Sequence, residues 1–314
     1  MRRVAAALAA PTSTSKRMSS TPLVAVAQLT ATDDRKENLR VCRDLAFQAK
    51  AAGAGLLCLP ECFSFLGRSW RETVAVGQAL EGSVISEMRA LAKELKLWLS
   101  LGGFPEAVSA ERGDAKVYNT HVILDDDGGI QARYRKIHLF DVDVPNGPVL
   151  QESRYTLPGD RVVVVDSPVG RLGLSTCYDL RFPEMYEALL RQGAEILLVP
   201  SAFTVPTGKA HWEVLLRARA IETQCYVVAA AQVGQHNEKR ASYGHSMVVD
   251  PWGRVLSDAG GETSPILSVA EIDLTMLHEI RAKMPIKSHR RRDLFYGRSY
   301  GGESRSDKWQ EPDK

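Results

Sequence analysis

Between Leu23 and about Leu274 the chain alternates two patterns, short continuous apolar runs and longer segments with apolar residues three and four apart. The first marks a buried strand and the second a helix with one buried face. Leu23–Leu29 (LVAVAQL) reads as a strand. Asn38–Ala52 reads as a helix that turns Leu39, Cys42, Leu45, Ala46 and Ala49 inward. Leu56–Leu59 is a strand stopped at Pro60, Ser83–Leu95 a helix burying Val84, Met88, Leu91, Ala92 and Leu95, and Leu97–Leu101 the next strand. Further strands are expected at Arg161–Val165, Leu172–Thr176, Ile196–Val199 and Tyr226–Ala231. Pro183 suits the first turn of a helix ending before Gly193. A helix from about Lys209 to Gln224 points Trp212, Leu215, Leu216 and Ala220 inward. Such alternation requires sheets covered by helices. Two hairpins make those sheets mixed: Tyr118–Leu124 with Ile130–Arg135 around Asp-Asp-Asp-Gly-Gly, and Ser246–Val249 with Arg254–Leu256 around Pro-Trp-Gly.

No break divides the alternation, so residues 23–300 are expected to form one domain, with 301–314 a tail. The hydrophobic share of 44% across 314 residues supports a large core and excludes disorder as the main state. No apolar run reaches about 18 residues, the length that a spanning helix needs. The formal charge is only +2, so no global basic field draws the chain to nucleic acid or anionic lipid. The basic stretch after Met284 (Lys287, Arg290, Arg291, Arg292) reads as a solvated or subunit-contacting extension. Five cysteines, an odd and sparse set, make a disulfide framework unlike this chain and favour a reducing compartment. Cys58 and Cys62 lack a second Cys/His pair at finger-like spacing, so no metal site is expected there. Residues 1–22 carry Arg2, Arg3, Lys16 and Arg17 among Ala, Ser and Thr, with no acid before Asp33. They read as a mitochondrial leader or a disordered tail. Met18 as a second start would add a cytosolic form, so mitochondrion and cytoplasm are both expected.

Three apolar strands end on a reactive residue, the position that faces the ligand crevice of an α/β sheet. Leu56-Leu57-Cys58-Leu59-Pro60-Glu61 delivers a carboxylate that can act as a general base or lie on the surface. Tyr134-Arg135-Lys136-Ile137-His138-Leu139-Phe140-Asp141 sets Lys136 among apolar neighbours, where an ammonium stabilises an oxyanion or joins an exposed basic cluster. Gly173-Leu174-Ser175-Thr176-Cys177-Tyr178-Asp179 has the strand, sharp turn and helix of a nucleophile elbow with Cys177 at the turn. The alternative is a buried, inert cysteine. None of the seven histidines lies in a papain-like context, no His-Glu-x-x-His run exists, and Gly102-Gly103 lacks the Lys-Ser/Thr of a phosphate loop.

Together these segments resemble the carbon–nitrogen hydrolase (nitrilase) superfamily, whose members carry a Glu–Lys–Cys triad in this chain order. The matches are Glu61 in LPECF, Lys136 in YRKIHLFD and Cys177 in STCYDLRFPE. Glu152 in Leu150-Gln151-Glu152-Ser153 is similar to the second glutamate of that family. The resemblance implies an α/β fold, a four-layer αββα sandwich with two mixed sheets. It further implies a metal-free and cofactor-free hydrolase of a small-molecule amide, and a homodimer or higher homo-oligomer. Gly193–Glu195, Pro200–Phe203, His211–Gln232 and Tyr243–Gly253 look closest to the omega-amidase-like branch.

For that branch the expected substrate is the γ-amide of glutathione whose amino group has become a keto group, cleaved to 2-oxoglutarate and cysteinylglycine. Cys177 would attack with Glu61 as base, and Lys136 with the backbone N–H of Tyr178 would receive the oxyanion. Water activated by Glu61 or Glu152 would free the acid, or Glu152 would orient Lys136. Arg181 offers a two-pronged donor for the substrate's α-carboxylate, or else a salt bridge to Glu184. Phe203 and Thr204 are expected to line the same pocket. Other superfamily chemistries share the triad, namely omega-amidase, carbamoylase and nitrilase. A scaffold with a relic site is the non-enzymatic alternative.

Overall fold

The computed structural model describes residues 21–108, 116–143, 149–291 and 294. The leader features of residues 1–20, Arg292 and the tail 301–314 lie outside the described residues.

Two mixed sheets form the centre. The larger runs, in spatial order, Arg240–Tyr243, Ala231–Asn237, Leu23–Leu29, Leu56–Cys58, Trp98–Ala107, Val117–Leu124 and Ile130–Arg135. The smaller runs Val255–Asp258, Met247–Val249, Tyr226–Ala229, Ile196–Leu198, Leu172–Leu174 and Val164–Val165. Strand alternation sorts the side chains. Val24, Val26, Leu56 and Cys58 of the larger sheet join one apolar cluster with Leu172, Leu174, Ile196, Leu198 and Val228 of the smaller. Ala25, Ala27, Leu29, Leu57 and Leu59 turn the other way, onto Leu39, Leu45, Val84, Met88 and Leu91 of two helices, Arg35–Ala51 and Ser83–Leu95. Helices Pro183–Arg191 and Val205–Thr223 cover the smaller sheet with Leu189, Trp212, Leu216 and Ala220. The order is helix, sheet, sheet, helix, the αββα sandwich that the family resemblance implied. Each buried leucine removes enough apolar surface to favour folding by about 1.5–3 kcal/mol. Among the described residues no helix is long and apolar enough to cross a membrane.

Helix Arg35–Ala51 starts where the Asp34 side chain accepts from the Glu37 N–H at 3.0 Å. Helix Val205–Thr223 begins four residues before the expected Lys209, with Pro206 in its first turn. Other boundaries shift for physical reasons. The strand expected over Leu97–Leu101 continues to Ala107, because its register slips between Leu101 and Phe104 and Gly102-Gly103 form the irregularity instead of an end. The run Tyr226–Ala231 is not one strand. It leaves the smaller sheet after Ala229, and Ala231–Asn237 enters the larger one beside Leu23–Leu29. Strand Ile266–Glu271 pairs antiparallel with Leu23–Leu29, an element the apolar pattern did not announce.

Candidate active site

The three reactive residues of the sequence meet at one end of the sandwich. Glu61 follows strand Leu56–Cys58, and Lys136 follows Ile130–Arg135. Cys177 lies past Leu172–Leu174 and opens the short 3-10 turn Cys177–Arg181. Its φ of 49° is left-handed, an arrangement costing a non-glycine residue on the order of 1–2 kcal/mol. Cys62, next to Glu61, carries φ 61° in the same way. Strain of this kind turns a side chain sharply out of the strand direction at a site.

Glu61, Lys136, Glu152 and Cys177 line one cavity of about 80 Å³ together with Asn119, Cys62, Tyr155, Phe140, Ala202 and Arg240. Lys136 Nζ donates to Glu61 Oε1 at 3.1 Å and to Glu152 Oε2 at 2.8 Å. Its side chain is 2% exposed, so this ammonium survives burial only because two carboxylates face it. Burial pulls the ammonium's pKa down, but the charges of Glu152 and Glu61 outweigh that pull and hold it well above the usual lysine value. Burial pushes the Glu61 carboxyl up. Lys136, hydrogen bonds from Cys177 and Lys136, and the charge of Arg240 overcome this and leave it below the ordinary carboxylate range. Cys177 goes the other way. Burial and then the Glu61 charge raise its thiol well above normal, against the pull of Lys136 and a backbone bond at Ala202. The resting site is therefore a neutral thiol sharing its cavity with a carboxylate and an ammonium.

Glu152, the first residue of the 3-10 turn Glu152–Arg154, is held by three donors. It accepts from Lys136, from the Phe140 N–H at 2.8 Å and from Asn119 Nδ2 at 3.3 Å. Asn119, on strand Val117–Leu124, also donates to Glu61 Oε1 at 2.8 Å. Gln232 Nε2 fixes the Glu61 carbonyl at 2.9 Å. Gly103 makes room for this arrangement, because a Cβ there would strike the Asn119 side chain and press on Glu61 Cγ. Asn119, Gln232 and Arg240 were not singled out from the sequence. A polar residue within a strand has no spacing signal of its own, and only tertiary pairing brings Asn119 and Arg240 to the cavity and Gln232 to the Glu61 backbone.

The expected substrate residues divide. Tyr178 follows the nucleophile in the elbow turn. Arg181 does not line the cavity. Its guanidinium lies over the rings of Phe203 and Tyr178, 5.5 and 5.9 Å from their centres, and Nη1 is 3.2 Å from His211 Nδ1. The alternative salt bridge to Glu184 is not formed, and among the described residues no carboxylate lies within ion-pair reach of Arg181. Phe203 packs on Trp212, with 4.8 Å between ring centres, and is not among the residues that line the inner cavity. Thr204 lines a second, wider cleft of about 970 Å³ that shares Gly67, Thr73, Leu150, Tyr155 and Arg240 with the inner cavity. Among the described residues no cluster of three or more His, Cys, Asp or Glu side chains is arranged to hold a metal ion.

Known proteins share this chain's fold and most of its length. The profile of the carbon-nitrogen hydrolase family matches residues 23–282. The deaminated glutathione amidase of Bos taurus is 50% identical over 282 residues, covering 90% of this chain and 85% of that protein. The crystal structure of the C. elegans NitFhit protein superposes with a TM-score of 0.81 at 45% identity, covering 87% of this chain and 66% of the other. A Glu-to-Gln mutant of the amidase from Nesterenkonia sp. AN1 is 29% identical, with a TM-score of 0.69 and coverage of 84% and 95%. That structure shows the acetamide moiety of fluoroacetamide added covalently at the active-site cysteine. With its fold and most of its length matched, this chain belongs to the carbon-nitrogen hydrolase family.

Proposed function

We propose that the chain hydrolyses the γ-amide of deaminated glutathione through a thioester on Cys177, giving 2-oxoglutarate and cysteinylglycine. The observation that carries the chemistry is that Cys177 lines one cavity with Glu61 and with Lys136, whose ammonium is bonded to Glu61 and Glu152. The substrate comes from similarity to relatives named for that activity at about half identity.

Glu61, the carboxylate whose charge acts on the thiol, takes the Cys177 proton as the sulfur bonds to the amide carbon. The carbonyl electron pair moves onto oxygen. An ammonium has three donors, and two of those on Lys136 are held by Glu61 and Glu152. The third and the Tyr178 backbone N–H receive the oxyanion, and one such donor contributes about 3–4 kcal/mol to the transition state. When the C–N bond breaks, Glu61 returns its proton to the leaving nitrogen. Water then attacks the thioester as Glu61 takes its proton. The C–S bond breaks, and Glu61 reprotonates the sulfur. Glu152 keeps Lys136 in place, because its oxygens already accept three bonds. Arg181, the residue the sequence offered for the α-carboxylate of the keto-acyl half, lines neither the inner cavity nor the outer cleft, so its guanidinium does not reach the acyl group on Cys177 directly.

The test is intact-mass detection of the acyl enzyme together with product analysis. Wild type mixed with the deaminated peptide should release both products and carry the keto-acyl group on Cys177, and Cys177→Ala should do neither. Release of ammonia from simple keto-acid amides at equal or higher efficiency would transfer the assignment to an omega-amidase. Absence of any adduct across a panel of amides would sink the nucleophile.

A further inference from the structure

We propose that Arg240, flanked by Arg154 and Lys239, binds the terminal carboxylate of the leaving amine, so that the enzyme selects amides whose departing half is an acidic peptide. This deepens the function proposed above and rests on it for the identity of the peptide.

The inner cavity of about 80 Å³ is too small for such a substrate, since sites that enclose a whole organic ligand measure roughly 300–1,000 Å³. Part of the substrate must therefore occupy the outer cleft of about 970 Å³. Covalent chemistry decides which part. The acyl half remains bonded to Cys177 while the amine departs, so the amine must have a path that the acyl group does not block. The outer cleft, which shares a wall with the inner cavity, is that path.

Its lining is one-sided in charge. Arg68, Arg154, Lys239 and Arg240 contribute to it, and no Asp or Glu does among the described residues. Arg68 is ion-paired to Asp33 at 3.3 Å. The other three have no carboxylate within 4 Å among the described residues. Arg240 belongs to both linings and is half-buried, close enough to Glu61 to feel its charge. Arg154 lies over the Trp70 ring, 5.0 Å from its centre, which leaves its guanidinium edge free for a planar anion. A half-buried guanidinium without a counter-ion costs desolvation that a bound carboxylate returns.

The decisive experiment compares two substrates that share the keto-acyl half. One releases cysteinylglycine and the other cysteinylglycinamide, which lacks the carboxylate. Wild type should prefer the acid by at least tenfold in kcat/KM. Arg240→Gln should bring the ratio to within about threefold of unity, and Arg240→Lys should restore part of the preference. The doubly substituted Arg154→Gln/Lys239→Gln, changed only at exposed side chains, should lower the ratio at least threefold in a protein whose circular dichroism is unaltered. A wild-type ratio near one, or a ratio unmoved by Arg240→Gln, overturns the proposal. Binding of the two free amines to full-length Cys177→Ala supplies an arm that needs no turnover. Tighter binding of cysteinylglycine without hydrolysis of the keto-acyl peptide would retire the proposed substrate and keep the anion site. Equal binding of acid and amide would retire the anion site.

Discussion

The Tyr134 hydroxyl donates to Asp179 Oδ2 across 2.6 Å, tying the strand that ends at Lys136 to the turn that opens with Cys177. Asp179 also accepts from the Thr176 N–H at 2.8 Å, the His138 N–H at 3.1 Å and His138 Nδ1 at 2.8 Å. Its carboxylate thus clamps residues on either side of the lysine to the residue preceding the nucleophile. Asp179→Asn puts an amide donor against two of those donors. Stability should fall by roughly 1–3 kcal/mol, the cost of a buried group left unmatched. The effect on kcat should exceed that on KM, because the clamp positions Lys136 and Cys177 without touching substrate. Urea unfolding with steady-state kinetics checks both. A fall in stability with kcat unchanged would make Asp179 purely structural.

Removing Lys136 separates its two roles. Lys136→Met leaves Glu61 and Glu152, both buried, facing each other with only Asn119 between. Breaking a buried ion pair from one side costs on the order of 3–5 kcal/mol. Loss of an oxyanion donor should also lower kcat about 100- to 1,000-fold. Adding Glu152→Gln removes one stranded charge, so the double variant should regain stability and stay inactive. Chemical denaturation and kcat/KM on the same preparations test this. Recovery of turnover in the double variant would contradict the role of Lys136.

The elements that surround the site were legible where periodicity or a sharp turn marks them. Helix Ser83–Leu95 has the expected bounds, and Cys177 turns out of its strand as an elbow should. Glu61 and Lys136 were visible because each ends an apolar run. Asn119 and Arg240 were not, because Asn119 sits among alternating strand residues and Arg240 follows a charged segment that reads as a surface turn. Strand Ile266–Glu271 escaped for a related reason. Its first four residues are only partly buried and Glu271 is exposed, so its apolar signal is weak, and its pairing partner lies more than 230 positions earlier.

Gly103 gives a steric test of the Asn119 contact. Gly103→Ala would push the Asn119 amide away from Glu61 and Glu152 and crowd Glu61 itself. Strand Trp98–Ala107 passes this point in an irregular register, which permits a small backbone shift, so the fold should survive. Activity should fall at least tenfold. Asn119→Ala should lose activity by a similar factor, and the combined variant should be little worse than either alone, since both act through one contact. Multiplying losses in the combined variant would show that Gly103 acts elsewhere.

Activity and stability should respond to acid in different pH ranges. Glu61 must be ionised to take the thiol proton, and its carboxyl lies below the ordinary range. Lys136 and Cys177 titrate far above neutrality. The kcat/KM profile should therefore be flat from about pH 5 to 9, with no step near the usual histidine value of about 6.5. Stability follows the buried histidines. His121 and His236 are each lowered to about 4, mainly by burial. The His121 ring joins Ser100 Oγ at 2.7 Å and the Ser175 carbonyl at 3.0 Å, so it donates from Nδ1 and accepts at Nε2 in its neutral form. Below about pH 6.5 the unfolded chain binds protons that the folded chain refuses, so stability falls as pH drops from there toward 4. Denaturation midpoints between pH 7 and 4 should decline while initial rates at 25 °C hold steady to about pH 5. His121→Gln should flatten part of that decline. A stability curve level between pH 6.5 and 4.5 would mean that these rings are protonated in the folded protein.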